Sequence, residues 1–189
     1  MAGLNFWNSL KKLVSNPESF FKNLKSEKGI KNSLLSYTIV SGFFAVFNMF
    51  LASFFYLIFQ SEFIFGIQSF VVFLVLATII FLLISVLSTF LYSLFIHIFV
   101  LLFGGDGGFV NTYNVYTYSM IPFLFILLIP YIGFFGIFYF VFLMTIGISK
   151  LHNLSILRSA FAVLIPGTII FLTSFIVFFY LLARFVFLF

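Results

Sequence analysis

The feature that most constrains this chain is the length of its uncharged stretches. Between Lys31 and Arg184 the charged residues are Glu62, Asp106, Lys150 and Arg158. The segments between them are predominantly apolar, and a helix needs about 20 apolar residues to cross a bilayer core of about 30 Å. Charged residues make up 7% of the chain, against about 25% in soluble domains. We therefore predict an all-α, polytopic membrane helix bundle and exclude a soluble enzyme or a nucleic-acid-binding domain.

The hydropathy pattern predicts five spans after a basic segment at residues 1–32. The predicted membrane domain covers 33–189, with spans at about 33–59, 69–103, 113–128, 132–148 and 159–183. The second run is about 35 residues long, yet no Gly, Pro, Asn or Asp lies between Val71 and Phe103 to form a turn. We interpret it as one long tilted helix whose end can protrude into the cytosol.

Charge distribution predicts the orientation of the spans. With a single helix in the second run, eight Lys and Arg residues fall on one side of the membrane and Arg184 on the other. Cytoplasmic loops carry an excess of Lys and Arg, which puts the amino terminus inside and the carboxyl terminus outside. The segment 113–148 is interpreted as two full spans, and a re-entrant hairpin is an alternative that satisfies the same charge argument.

The first 32 residues predict two short amphipathic helices at the membrane surface. They contain no signal-peptide pattern, because a long apolar stretch ending in small residues is missing. Asn16 is a predicted N-cap, and Pro17 is at the preferred first helical position. Aromatic and aliphatic side chains would enter the interface while lysines meet anionic headgroups. The candidate residues for this membrane-surface anchor, or alternatively for docking a membrane or cytosolic protein, are Phe6, Trp7, Leu10, Lys11, Lys12, Phe20 and Phe21.

Small and hydroxyl-bearing residues concentrate on one face of the second span and at the start of the third. Such residues mark where helices in a membrane approach closely and exchange hydrogen bonds. We interpret them as packing contacts, and a polar cleft for a solute between the second and third spans is the alternative. The candidate cleft residues are Ser85, Ser88, Thr89, Tyr92, His97, Asn114, Tyr118, Ser119 and Pro122.

The residues that usually carry catalysis are scarce. The chain has no cysteine, which excludes thiolate chemistry and disulfides. Asp106 lies among four glycines in a segment that indicates a flexible turn, and His152 has no second histidine at ligand spacing. No set of nucleophile, base and orienting group can be named. We therefore expect no catalytic residue, no cofactor and no metal site.

Several motifs together resemble the Yip/Yif domain family, five-span membrane proteins named for interaction with Ypt/Rab GTPases. The resemblance covers about 14–183 and rests on Asn16–Phe21, Gly104–Phe109, Tyr118–Pro122, Pro130–Gly133, Leu151–Ser155, Arg158–Ala160 and Leu164–Pro166. The eukaryotic branch has a long cytosolic amino-terminal region with an acidic Tyr-Gly-Pro segment, whereas here a basic segment of about 32 residues precedes the first span. The resemblance is therefore to compact prokaryotic members, which implies a plasma membrane in a bacterium or archaeon and no transferred Rab-binding role.

Two functional hypotheses follow from these patterns. The first is a non-enzymatic membrane scaffold that shapes the bilayer or docks a partner through its amino terminus. The second is a passive permease or lipid-handling protein that uses the polar cleft. Anionic lipid headgroups are the expected partners, and self-association into a homo-oligomer stays an open alternative. A packed interior would favour the scaffold, and a wet one the permease.

Overall fold

The computed structural model describes residues 6–24, 29–58 and 67–188. The segment between the first two predicted spans, which contains Gln60–Glu62, and the basic residues Lys25 and Lys28 lie outside the described residues, as does the side chain of Phe6. The described part of the chain is helical and contains no β-strand, which confirms the predicted all-α class for these residues.

Two short helices and five long ones follow one another along the described chain. They are α1 (Phe6–Ser15), α2 (Pro17–Leu24), α3 (Lys31–Ile58), α4 (Ile67–Leu102), α5 (Phe109–Leu127), α6 (Gly136–Leu151) and α7 (Ile156–Leu188). A single 3-10 turn at Gly133–Phe135 precedes α6.

Local chemistry explains where several helices begin and end. The backbone N–H of Ser19 donates to Asn16 Oδ1 at 3.0 Å, so Asn16 caps α2 as predicted and Pro17 occupies its first position. The α4 helix runs for 36 residues without interruption, or about 54 Å at 1.5 Å per residue. It ends where Gly104 adopts a φ of 87°, a conformation that glycine takes without steric cost.

The α5 helix lies at the centre of the bundle. It packs against α3, α4 and α6, and most of its side chains from Thr112 to Leu124 are buried. Within the described ranges, four helical segments are long and apolar enough to cross a membrane: Lys31–Phe55, Phe70–Leu102, Gly133–Leu151 and Ile156–Phe185. The α5 helix has 19 residues but carries more polar groups, which face protein instead of lipid. The arrangement is that of a multi-pass membrane helix bundle, with α5 as its enclosed polar member.

Burial is concentrated in one half of the bundle. The short helices belong to this half, since α2 packs against α6 and Leu13 of α1 is 1% exposed. Along the long helices, the last buried side chains are Ala45 on α3 and Pro166 on α7, and the first on α4 is Ser85. Beyond these three positions no described side chain of α3, α4 or α7 is buried. The bundle is therefore thick at the end that carries α1 and α2, and thin at the other.

Candidate functional site

The amino-terminal residues that were predicted to contact the membrane surface or a docked protein differ in exposure. Trp7 is 69% exposed and Lys11 is exposed, while Leu10 and Lys12 are half-buried. Phe20 and Phe21 are 8% and 0% exposed. The prediction that these two phenylalanines contact the membrane surface or a docked protein is wrong, because the apolar face of α2 is turned into the bundle.

Three contacts hold α2 on the bundle. The Phe20 ring meets the Tyr118 ring edge-on, with centroids 5.1 Å apart. Phe21 lies beside Gly147 of α6, where a side chain would leave it no room. Glu18 Oε2 pairs with Lys150 Nζ at 3.1 Å, with both groups partly exposed to water, so this ion pair adds at most about 1 kcal/mol. The aromatic packing is therefore the main anchor of α2.

A groove separates α1 from the hairpin formed by α5 and α6. Its volume is about 580 Å³, and its lining residues are Trp7, Leu10, Val14, Pro122, Phe125, Ile126 and Tyr139. The Tyr139 hydroxyl donates to the carbonyl oxygen of Val14 at 3.5 Å. The α1 helix is thus attached near its carboxyl end, and Trp7 at its other end also lines the groove.

Two residues of the predicted polar cleft, Asn114 and Thr89, form buried hydrogen bonds between chain segments. The Asn114 side chain joins α5 to the start of α3: its Oδ1 accepts from Ser33 Oγ at 2.5 Å and its Nδ2 donates to the Gly29 carbonyl at 3.1 Å. The preceding residue, Tyr113, joins α5 to α4: its hydroxyl and that of Thr89 share a hydrogen bond of 3.1 Å. Asn114, Tyr113 and Thr89 are each at most 1% exposed, so these polar groups link helices.

The other predicted cleft residues lie at varying depths. Ser85, Tyr118, Ser119 and Pro122 are buried, Ser88 and His97 are half-buried, and Tyr92 is 40% exposed. Ser88 Oγ donates to the Ser85 carbonyl of its own helix, and Tyr92 stacks on Tyr116 with centroids 6.3 Å apart. Ser119 Oγ is buried with no hydrogen-bond partner among the described residues. These positions do not come together as one site, and Pro122 contributes to the groove under α1.

Two histidines meet at one threonine hydroxyl at the end of the bundle. Thr112 Oγ1 lies 2.8 Å from His97 Nδ1 and 3.0 Å from His152 Nε2. The two imidazole centroids are 5.8 Å apart, and His152 is fully buried. The sequence analysis missed this pairing because the histidines are far apart along the chain. Among the described residues no group of three or more His, Cys, Asp or Glu side chains forms a metal site.

The glycine-rich loop closes over this histidine pair. Asn153 Nδ2 donates to both carboxylate oxygens of Asp106, at 3.0 and 2.8 Å. A Cβ atom at Gly107 would come within 2.6 Å of His152 Nδ1, so only glycine permits this approach. The loop that was interpreted as a flexible turn is therefore held against the loop after α6 by specific contacts.

The fold and these contacts define a class of protein. The chain is an α-helical, multi-pass integral membrane protein in which buried polar side chains bond to their own helix and, at Asn114, Tyr113 and Thr112, to neighbouring segments. The family model of the Yip1 domain matches residues 11–181, and the chain belongs to this family, as the motif resemblance indicated. No curated protein and no solved structure matches the chain.

Proposed function

We propose that this protein is a non-enzymatic, five-span membrane scaffold that shapes the bilayer of a prokaryotic plasma membrane. In this proposal the α5–α6 hairpin crosses the bilayer, the amino terminus is cytoplasmic and the carboxyl terminus is outside. The single observation that carries the proposal is the unequal thickness of the bundle along its length. The half with α1 and α2 is thick, and in the opposite half the ends of α3, α4 and α7 bury no described side chain.

This shape favours curvature with the cytoplasmic face convex. A protein that occupies more area in one leaflet than in the other stretches the first leaflet relative to the second. Amphipathic helices that insert apolar side chains at the headgroup boundary also expand the leaflet that they enter, and their binding depends on membrane curvature. Here α1 exposes Trp7 and Val14 and carries two lysines with no acidic residue. The charge and the apolar surface of α1 are thus those of a helix that contacts an anionic leaflet.

The packed interior supports the scaffold over the permease. Along α4, the hydroxyls of Ser85, Thr89 and Ser93 each donate a hydrogen bond to a carbonyl oxygen of their own helix. Ser93 is fully buried and Thr89 is 1% exposed. A solute pathway would need polar groups that face an open lumen, and these hydroxyls face neighbouring helices.

Reconstitution of the full chain tests the proposal. The protein is inserted into phosphatidylcholine vesicles with a minor fraction of phosphatidylglycerol, at rising protein-to-lipid ratios, and vesicle diameters are measured by electron cryomicroscopy. The diameter is expected to fall as the ratio rises. The variant Trp7→Ser, which removes an exposed ring from α1, is expected to weaken this effect.

A matched control separates α1 from a general loss of apolar surface. Phe171 on the thin half of α7 is 65% exposed, close to the 69% of Trp7, so Phe171→Ser removes a comparable exposed ring elsewhere. Phe171→Ser should keep the full effect on diameter. Vesicles whose diameter does not respond to the protein at any ratio would refute the bilayer-shaping role, and equal losses in both variants would refute the role of α1.

A further inference from the structure

The groove between α1 and the α5–α6 hairpin has the size and lining of a ligand site. Binding pockets for small molecules commonly have volumes of roughly 300–1,000 Å³ and mainly apolar walls, and this groove has a volume of about 580 Å³. Among the described residues that line it, none carries a charged side chain. The walls therefore suit a hydrocarbon chain better than a polar solute.

One lysine borders the groove and another lies away from it. At 100° per residue, Lys11 is about 40° around the α1 axis from Trp7, and Lys12 is about 140° away. Trp7 lines the groove, and Lys11 is exposed. A positive charge thus stands at the edge of the apolar groove, whereas Lys12 is on the opposite side of the same helix.

The protein supplies no counter-ion from the helices that form the groove. The sequences of α1, α5 and α6 contain no Asp or Glu, and Glu18 of α2 pairs with Lys150. We propose that the groove binds one anionic phospholipid, with an acyl chain between α1 and the α5–α6 hairpin and the phosphate at Lys11. The lipid would neutralise Lys11 and fill the apolar space in one step. This inference rests on the proposed contact of α1 with the membrane and adds a specific ligand to it.

Trp7 is the only tryptophan of the chain and lines the groove, so it is a native probe of the bound lipid. The full chain is reconstituted in phosphatidylcholine vesicles with a minor fraction of phosphatidylglycerol, and bromine is placed on the acyl chains of one lipid at a time at equal mole fraction. Bromine quenches tryptophan fluorescence on contact. Brominated phosphatidylglycerol is expected to quench Trp7 more strongly than the same fraction of brominated phosphatidylcholine.

The two lysines provide a matched pair of variants. Lys11→Ala is expected to lower the preference for phosphatidylglycerol by roughly fivefold, the effect of one lysine in an anionic membrane, and Lys12→Ala is expected to keep it. Lys11 is exposed, Lys12 is half-buried, and alanine is a good helix former, so circular dichroism should show unchanged helix content in both variants. Equal losses in both variants would mean a diffuse electrostatic attraction and would overturn the site.

The remaining outcomes separate this inference from the proposed function. If both brominated lipids quench Trp7 equally, the lipid site is wrong, while α1 still contacts the membrane as the bilayer-shaping role requires. If neither lipid quenches Trp7, α1 does not lie in the membrane, and both the site and the proposed role of α1 are refuted.

Discussion

Phe21 fills the space beside Gly147 that a side chain on that glycine would occupy. A Cβ atom at Gly147 would lie 3.1 Å from Phe21 Cε1 and 2.5 Å from Val115 Cγ1. Three helices therefore meet at one point: α2 through Phe21, α5 through Val115 and α6 through Gly147. The amino-terminal segment is consequently an integral part of the bundle, and α1 is held beside it through its contacts with α2.

Gly147→Ala tests this three-helix contact. Alanine is a better helix former than glycine by about 1 kcal/mol, but its methyl group would clash with Val115, and overpacking a core costs about 1–3 kcal/mol. We expect a net loss of stability, measured as a lower midpoint of thermal unfolding by circular dichroism in detergent. Gly42→Ala on α3 is the control, because a Cβ there has nothing within 4 Å, and it should be neutral or stabilising. A gain in both variants would contradict the close approach of α5 and α6.

Phe21→Ala tests whether α2 is anchored in the core. Phe21 is fully buried, and truncation of a buried phenylalanine to alanine costs about 3–5 kcal/mol. The same truncation at Phe54, which is 60% exposed on the thin half of α3, should change the unfolding midpoint little. Equal and small changes of the unfolding midpoint at the two positions would contradict the burial of Phe21. They would support the membrane-surface position that the sequence analysis predicted.

The misplacement of Phe20 and Phe21 has a physical reason. An amphipathic pattern shows that a helix has an apolar face, but it does not show what that face contacts. Lipid and the side of a helix bundle are both apolar, so a short helix next to a membrane domain satisfies its pattern on either one. The capping of α2 by Asn16 depends on neighbours in sequence, and for that reason it was predictable.

The contact between the two histidines is a second feature that the sequence alone did not predict. His97 and His152 come together because α4 and α6 end at the same side of the bundle and the glycine-rich loop folds over them. Neither a spacing nor a local motif indicates such a contact. By contrast, the hydroxyl-rich pattern of α5 did indicate interhelical packing, since polar residues in a membrane segment need partners within the protein.

Thr112→Val is expected to loosen the end of the bundle that carries the two histidines. Valine has nearly the same shape as threonine, but it removes the hydroxyl that lies within 3.0 Å of both His97 Nδ1 and His152 Nε2. Loss of a hydrogen-bond partner costs a buried polar group about 1–3 kcal/mol. Hydrogen exchange measured by mass spectrometry should become faster in residues 104–108 and 152–155.

Two further threonine substitutions make that measurement specific. Thr112→Ser keeps the hydroxyl and should restore slow exchange. Thr173→Val is the matched control, because the Thr173 hydroxyl donates to carbonyls of its own helix at an exposed position. If Thr112→Val leaves the exchange of both loops unchanged, the hydroxyl bridge does not hold them together.

Cysteine labelling tests the proposed topology on a chain that has no native cysteine. Gly108→Cys suits the cytoplasmic side, because Gly108 is exposed and a Cβ there has nothing within 4 Å, whereas a Cβ at Gly107 would collide with His152. Tyr131→Cys reports on the tip of the α5–α6 hairpin, where Tyr131 is 98% exposed. A membrane-impermeant maleimide should label Gly108→Cys only from the cytoplasm and Tyr131→Cys only from outside. A Tyr131→Cys variant that is labelled from neither side, but reacts after detergent is added, would show that α5 and α6 form a re-entrant hairpin and would reduce the spans to the three long helices α3, α4 and α7.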